Sequence, residues 1–227
     1  VELTNLILLH NKISDLTPLK DLSKLENLNL HVNLIVNIDA LSGLITLKEC
    51  TLSNNQINDI SPLSGLTNLT SLSLHNNQIS SISPLANLTN LPWLSISHNS
   101  ISDLSPLEKL TVLDTLGLGD NPVTDFTPIG SLSNLGLFSF HPPEGQSIDP
   151  LLPQLVSSLS QLPKLSHINL SQSRMEDISP LANLPATLLT DLHLYDNQIV
   201  DISPLVDKIG NSGRLNLNNN PLTNAAY

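Results

Sequence analysis

Histidines, carboxylates and two aromatic residues recur in this sequence at positions that leave them on one face. In Ser71-Leu72-Ser73-Leu74-His75 the leucines take one side and the serines and His75 the other. That two-residue period is the mark of a short strand buried on one face. All seven histidines (His10, His31, His75, His98, His141, His167 and His193) fall on such outward slots or on the turn that follows. Trp93 and Tyr195 take outward slots too, and Asp120 and Asp191 stand in comparable places. Two chemistries suit such residues. One is metal binding: strands about 4.8 Å apart would let His75, His98 and Asp120 approach one another on three successive units, and likewise His167, Asp191 and His193. The ligand types suit zinc, but neither group has the short-range spacing of a zinc signature. Solvated imidazoles on a polar face are the simpler reading, and no metal or cofactor is expected. The other chemistry is protein recognition, in which an exposed Trp and Tyr among polar neighbours act as anchors. The expected partner-binding residues are His75, Trp93, His98, Asp120, His141, His167, Asp191, His193 and Tyr195.

Catalysis has no foothold. The sequence holds no Gly-rich phosphate loop, no nucleophile elbow and no pair of carboxylates in an apolar pocket. Asp15, Asp59, Asp103, Asp125, Asp177 and Asp201 form a stripe without the closely spaced carboxylates of a calcium loop. Each is expected to hydrogen-bond its own turn. Asn68, Asn87 and Asn169 open Asn-x-Ser/Thr sequons that the repeat itself generates. The one cysteine, Cys50, rules out an internal disulfide and takes an apolar slot, as a small buried hydrophobe does.

What positions these residues is a repeat. The stretch LTNLTSLSLHNNQISSISPL, Leu66 to Leu85, is one copy of a 22-residue unit, and self-similarity at a fixed period of this length marks a solenoid. Apolar strand pairs fall at Leu6/Leu8, Leu28/Leu30, Cys50/Leu52, Leu72/Leu74, Leu94/Ile96, Leu116/Leu118 and Phe138/Phe140, then at Ile168/Leu170, Leu192/Leu194 and Leu215/Leu217. About ten coils follow, with the strands parallel on a concave sheet. Asn77, with Asn11, Asn33, Asn55, Asn99 and Asn121 at the same register, reads as an amide ladder that satisfies backbone groups inside each bend. A Ser/Thr-Pro pair such as Ser83-Pro84 reads as an N-cap and first residue of a short 3₁₀ turn on the convex back. Between Leu151 and Leu162 the apolar residues fall into helical spacing, so one back turn grows into an α-helix of roughly three turns. Before it, Pro143 replaces the ladder Asn, and His141-Pro142-Pro143-Glu144-Gly145 is expected to protrude as a fixed kink. One solenoid domain over 1–227 results, regular over 1–140, irregular with its helical insertion over about 141–165, and repeating again over 166–227.

A net charge of −11 with nine Lys and Arg argues against nucleic acid and anionic membrane surfaces as partners. No apolar run approaches the ~18 residues of a membrane span. Val1 to Leu6 opens inside a repeat rather than in a signal peptide, and neither end reads as a cap, so capping segments are expected outside this stretch. A monomer is expected.

The unit and its tail, Ile57-Asn58-Asp59-Ile60-Ser61-Pro62-Leu63, resemble the leucine-rich repeat family, in particular its internalin-like class of bacterial surface proteins, along nearly the whole chain. The resemblance implies an α/β leucine-rich repeat arc. It also implies a non-enzymatic adhesin, secreted or attached to the bacterial surface, that binds a host cell-surface protein through its concave face. The alternative is a cytoplasmic regulatory scaffold similar to the leucine-rich repeat regulator of protein phosphatase 1.

Overall fold

The computed structural model describes residues 2–185, 190–206 and 213–223; Val1 and the last four residues of the expected domain lie outside them. Ten three-residue strands form one parallel sheet in sequence order: β1 (Asn5–Ile7), β2 (Asn27–Asn29), β3 (Glu49–Thr51), β4 (Ser71–Ser73), β5 (Trp93–Ser95), β6 (Thr115–Gly117), β7 (Leu137–Ser139), β8 (His167–Asn169), β9 (Asp191–His193) and β10 (Arg214–Asn216). The coil carrying each strand takes its number below. The register is what the periodicity demands. Leu6, Leu28, Cys50, Leu72, Leu94, Leu116, Phe138, Ile168, Leu192 and Leu215 are successive Cα partners. They stack into one core, in which most of these residues are buried. All three phenylalanines are inside it, with Phe126 and Phe140 edge to face at 4.9 Å.

The bend after each strand is closed by the asparagine ladder. Asn77 Nδ2 donates to the carbonyls of Leu52 and Leu74, and its Oδ1 accepts from the Ile57 amide one coil back. Asn33, Asn55, Asn99 and Asn121 repeat the pattern. Asn197 and Asn220 continue it beyond the irregular coil. The residue before each rung is left-handed: His10, Val32, Asn54, Asn76, His98, Asp120, Asp196 and Asn219 all have φ of 53–59°. Proline cannot adopt that angle, so Pro142 breaks the series, and the Val123 amide turns to its own coil's Asn121 carbonyl at 2.8 Å instead. The expected kink is smaller than its prolines suggest. Pro142 is buried, and only Glu144, Gly145 and Gln146 stand fully exposed.

The back turns are 3₁₀, for example Ser61–Leu63 and Ser105–Leu107. Their serines and threonines do not cap them; they are already the first residue of the turn. The cap is the aspartate two residues earlier, whose Oδ1 accepts the amide of Thr17, Ser61, Ser105, Thr127, Ser179 or Ser203 at 2.8–2.9 Å. The hydroxyls of Ser61, Ser179 and Ser203 add to this by donating to Oδ2 of the same carboxylate. Those bonds hold Asp15, Asp103, Asp125, Asp177 and Asp201 below the ordinary carboxylate range. In coil 7 the back element is the helix α1, Leu152–Leu159, nearer two turns than three. Gln154 on α1 ties it to coil 6, with its amide on Asp125 and its oxygen on the Phe126 amide.

Candidate functional site

Strand alternation places three outward rows on the concave face. The first row, running Trp93–Thr115–Leu137–His167–Asp191–Arg214 in register, carries the bulk. Trp93 is 39% and Leu137 37% exposed. They are two strands apart, about 10 Å. Between them and the third row the floor is low: Ser95, Gly117 and Ser139 occupy the middle row. Gly119 lies under the His141 ring, and a Cβ there would meet that ring's Cδ2 at 2.5 Å. Any larger residue would lift the imidazole off the face.

The expected binding residues separate into two clusters and two outliers. In coils 4–7 the rings of His75 and His98 meet edge to face at 4.8 Å, and His98 meets His141 at 5.6 Å. His98 Nδ1 lies 2.6 Å from Asp120 Oδ2. Both members of that pair stand on left-handed turn residues, a conformation that His and Asp tolerate better than most. Burial first, then the charges of His98 and His31, hold His75 below the usual imidazole value. In coils 8 and 9, Asp191 lies between His167 Nε2 at 3.5 Å and His193 Nε2 at 2.9 Å. Trp93 flanks the first cluster from the first row. Tyr195 is half-buried in the third row beyond the second cluster, about 19 Å along the sheet from Trp93.

Asp191 is the unusual member. Its side chain is only 16% exposed, and its Oδ1 is closed to solvent with His193 Nε2 2.9 Å away. The cluster lies beside a shallow depression of about 140 Å³ lined by Leu137, Ser139, His167, Ile168, Asn169 and His193. A larger hollow, about 490 Å³, is on the convex back between the turns of coils 1 and 2, at Thr17, Lys20, Asp39 and Ser42. It is a furrow between adjacent turns and brings no reactive set together. Among the described residues no group of three or more His, Cys, Asp or Glu is placed to hold a metal ion, and no helix is long and apolar enough to cross a membrane. Cys50 is buried, and burial pushes its thiol up to about 12.

The residues missed from sequence are Leu137 and Gly119. Leu137 stood two units after Trp93 in the same outward slot, so the signal was there. Gly119 had none, since its importance lies in the ring of a residue one coil away.

A leucine-rich repeat model matches twice, over 46–87 and 89–135. Among solved structures, the internalin InlF of Listeria monocytogenes is 35% identical with a TM-score of 0.77, over 96% of this chain and 61% of that one. The internalin C2 of the same organism is 36% identical with a TM-score of 0.59, over 97% of this chain and 71% of that one. The plant peptide hormone receptor RGFR1, solved in complex with RGF2, shares the fold at 24% identity and a TM-score of 0.65, over 96% of this chain and 40% of that one. The comparison with curated proteins found no significant match.

Proposed function

The chain belongs to the leucine-rich repeat family, in its internalin-like class, and from that premise we propose that it is a non-enzymatic module that binds a protein through its concave face. The observation that carries this is the exposure of Trp93 and Leu137 at the centre of the sheet, where the other outward positions of β4–β7 are Ser, Thr and Gly. Large apolar side chains on a polar surface are what an interface core uses. The binding residues are His75, Trp93, His98, Asp120, His141, His167, Asp191, His193 and Tyr195, now joined by Leu137. The likeness to internalins supports a secreted or surface-attached bacterial protein whose partner is a host cell-surface protein. The chain itself acts as a monomer. The complex of the plant receptor with RGF2 is a precedent within the fold for holding a polypeptide. Catalysis finds no support in the concave face, where the imidazoles of both clusters stand on an open sheet with no enclosing cleft.

The test is a pull-down on host-cell membrane extract and cytosolic lysate in parallel, with Trp93→Ala/Tyr195→Ala as control. Capture of a membrane protein that the double variant loses supports the proposal. Capture from the cytosol alone moves the protein inside a cell. Equal capture by the variant removes the concave face from the account.

A further inference from the structure

The charges of this molecule are sorted by face. The chain carries twenty Asp and Glu against nine Lys and Arg, yet few of them stand in the outward strand slots or the two turn positions that follow. Among the described residues these are Glu49, Asp120, Asp191 and Asp196, against Arg214 as the one cation. All seven histidines stand in the same slots, so groups that titrate near neutrality outnumber groups of fixed charge there. His98 is faced by Asp120 at 2.6 Å and by the rings of His75 at 4.8 Å and His141 at 5.6 Å. His141 lies over Gly119, with Nδ1 3.3 Å from the Pro142 carbonyl. His31 is faced by the His10 ring at 5.5 Å and by Asn54 Nδ2 at 3.4 Å. Asp191 faces both His167 and His193, and Ser166 Oγ lies 2.8 Å from His167 Nδ1. Asp196 accepts from Asn219. Along the edge before the strands stand the Lys48–Glu26 pair, at 2.8 Å, and Asp114, which packs against Gly136.

We propose that the concave face is a pH-sensitive switch that reverses the sign of its charge, attracting cations near neutral pH and anions in mild acid. The inference rests on the concave-face reading above and adds a condition to it: the face favours a basic contact surface near neutrality and turns against it in mild acid. An imidazole is the side chain that ordinarily gains its charge between pH 8 and 5, a range over which carboxylates ordinarily stay ionised. Seven added charges outweigh the four carboxylates of the face, even with Asp114 counted among them, but fall short of the whole chain's −11. The reversal is therefore local. The aspartates bonded to the back turns keep the rest of the molecule negative. The row about His98 has Asp120 as its one close carboxylate, so a fully charged His75–His98–His141 row carries positive charge in excess. Burial first, then the charges of His98 and His31, hold the His75 imidazole below its usual value, so its share of the reversal comes at the acid end of the range.

The reporter is already in place. Trp93 is the one indole of the chain and stands exposed on this face, about 13 Å along the strand direction from the row of His75 and His141. Its fluorescence is quenched in turn with iodide, caesium and neutral acrylamide, at an ionic strength of about 0.03 M, where the screening length exceeds that distance. Between pH 7.5 and pH 5.5 iodide quenching should rise about twofold and caesium quenching fall by a similar factor, with acrylamide unchanged. In His75→Gln/His98→Gln/His141→Gln both responses should drop by more than half, and in His10→Gln, four coils from Trp93, they should persist. Gln172 already fills the left-handed slot of His98 in its own coil, so glutamine suits that backbone, and the far-UV spectrum checks the fold. If the triple variant does not fold, the imidazole resonances of the unaltered chain decide by NMR over the same range: too few rings gaining a proton to outnumber the carboxylates overturns the switch. A flat iodide response, an acrylamide response of equal size, or a full response kept by the folded triple variant would overturn it as well. Capture that Trp93→Ala/Tyr195→Ala loses, alongside flat quenching, counts against the switch alone. Reversal alongside capture that the double variant keeps counts against the concave-face reading alone.

Discussion

Asn121→Ala tests whether the asparagine ladder holds the solenoid together. Asn121 is fully buried. Its Nδ2 donates to the carbonyls of Ile96 and Leu118, both at 2.9 Å, and its Oδ1 accepts the Ile101 amide at 2.9 Å. Alanine leaves those three backbone groups buried without partners, in a place where Pro142-Pro143 on the next coil offers no replacement donor. At ~1–3 kcal/mol for each group, and with some relaxation, the loss comes to roughly 4 kcal/mol. For a chain of this size that lowers Tm by roughly 8–16 °C. Asn11 makes the comparison internal. It occupies the same rung but is exposed, with Nδ2 bonded to the carbonyls of Leu8 and Leu9. Water can replace it, so Asn11→Ala costs about 1 kcal/mol or less. Calorimetric melting of the two variants decides the matter. Equal shifts, or a fall under about 4 °C for Asn121→Ala, would show that the rungs are not what satisfies the bends.

Other consequences are checked as readily. Val32 is β-branched and sits at φ 54° where other coils place Asn54, Asn76 and Asn219. Val32→Asn relieves left-handed strain of roughly 1 kcal/mol and should raise Tm by about 2–4 °C; an unchanged or lowered Tm contradicts this. The depressed pKa values of Asp15, Asp103, Asp125, Asp177 and Asp201 mean that the folded chain binds fewer protons than the unfolded one. The stability they give is complete above the unfolded carboxylate value of about 4 and drains as pH falls through the lower folded values. Melting from pH 6 down to pH 2 should show that decline, weaker in Asp103→Asn. Cys50 should resist a thiol reagent in the native protein and react at once in denaturant, because it is buried and its thiol is pushed up to about 12.

The solenoid was legible because its signal is redundant. Each strand centre from Leu6 to Leu215 repeats an alternation that a slip of one residue would invert, so register followed from counting. The ladder was legible only while the period held. Asn197 and Asn220 do the same work as Asn121, but gaps of 30, 24 and 23 residues between strand pairs hid them. Local chemistry was harder to read. Ser83-Pro84 looks like a cap and first residue, yet Ser83 is already inside the turn and its amide goes to Ser81 Oγ, two residues upstream, where other coils place an aspartate. The concave histidines could be named from alternation. Their division into a His75–His98–His141 row and a group about Asp191 depends on ring orientation, which shows only when the neighbours are in place. The left-handed slot before each rung was also hidden, since Val32, His98 and Asn76 share no side-chain property that announces it.

The central claim is that the partner covers the concave face, and a steric block tests it most directly. Cys50 is buried and inert, so single cysteines can be introduced and coupled to a polyethylene glycol maleimide. Ser95 lies in the middle concave row on β5, and Ser64 follows the Ser61–Leu63 turn on the convex back. Coupling at Ser95→Cys should abolish capture of the partner, while coupling at Ser64→Cys should leave it unchanged. Capture that survives the concave block and fails with the convex one would place the binding surface on the back of the solenoid and contradict the account.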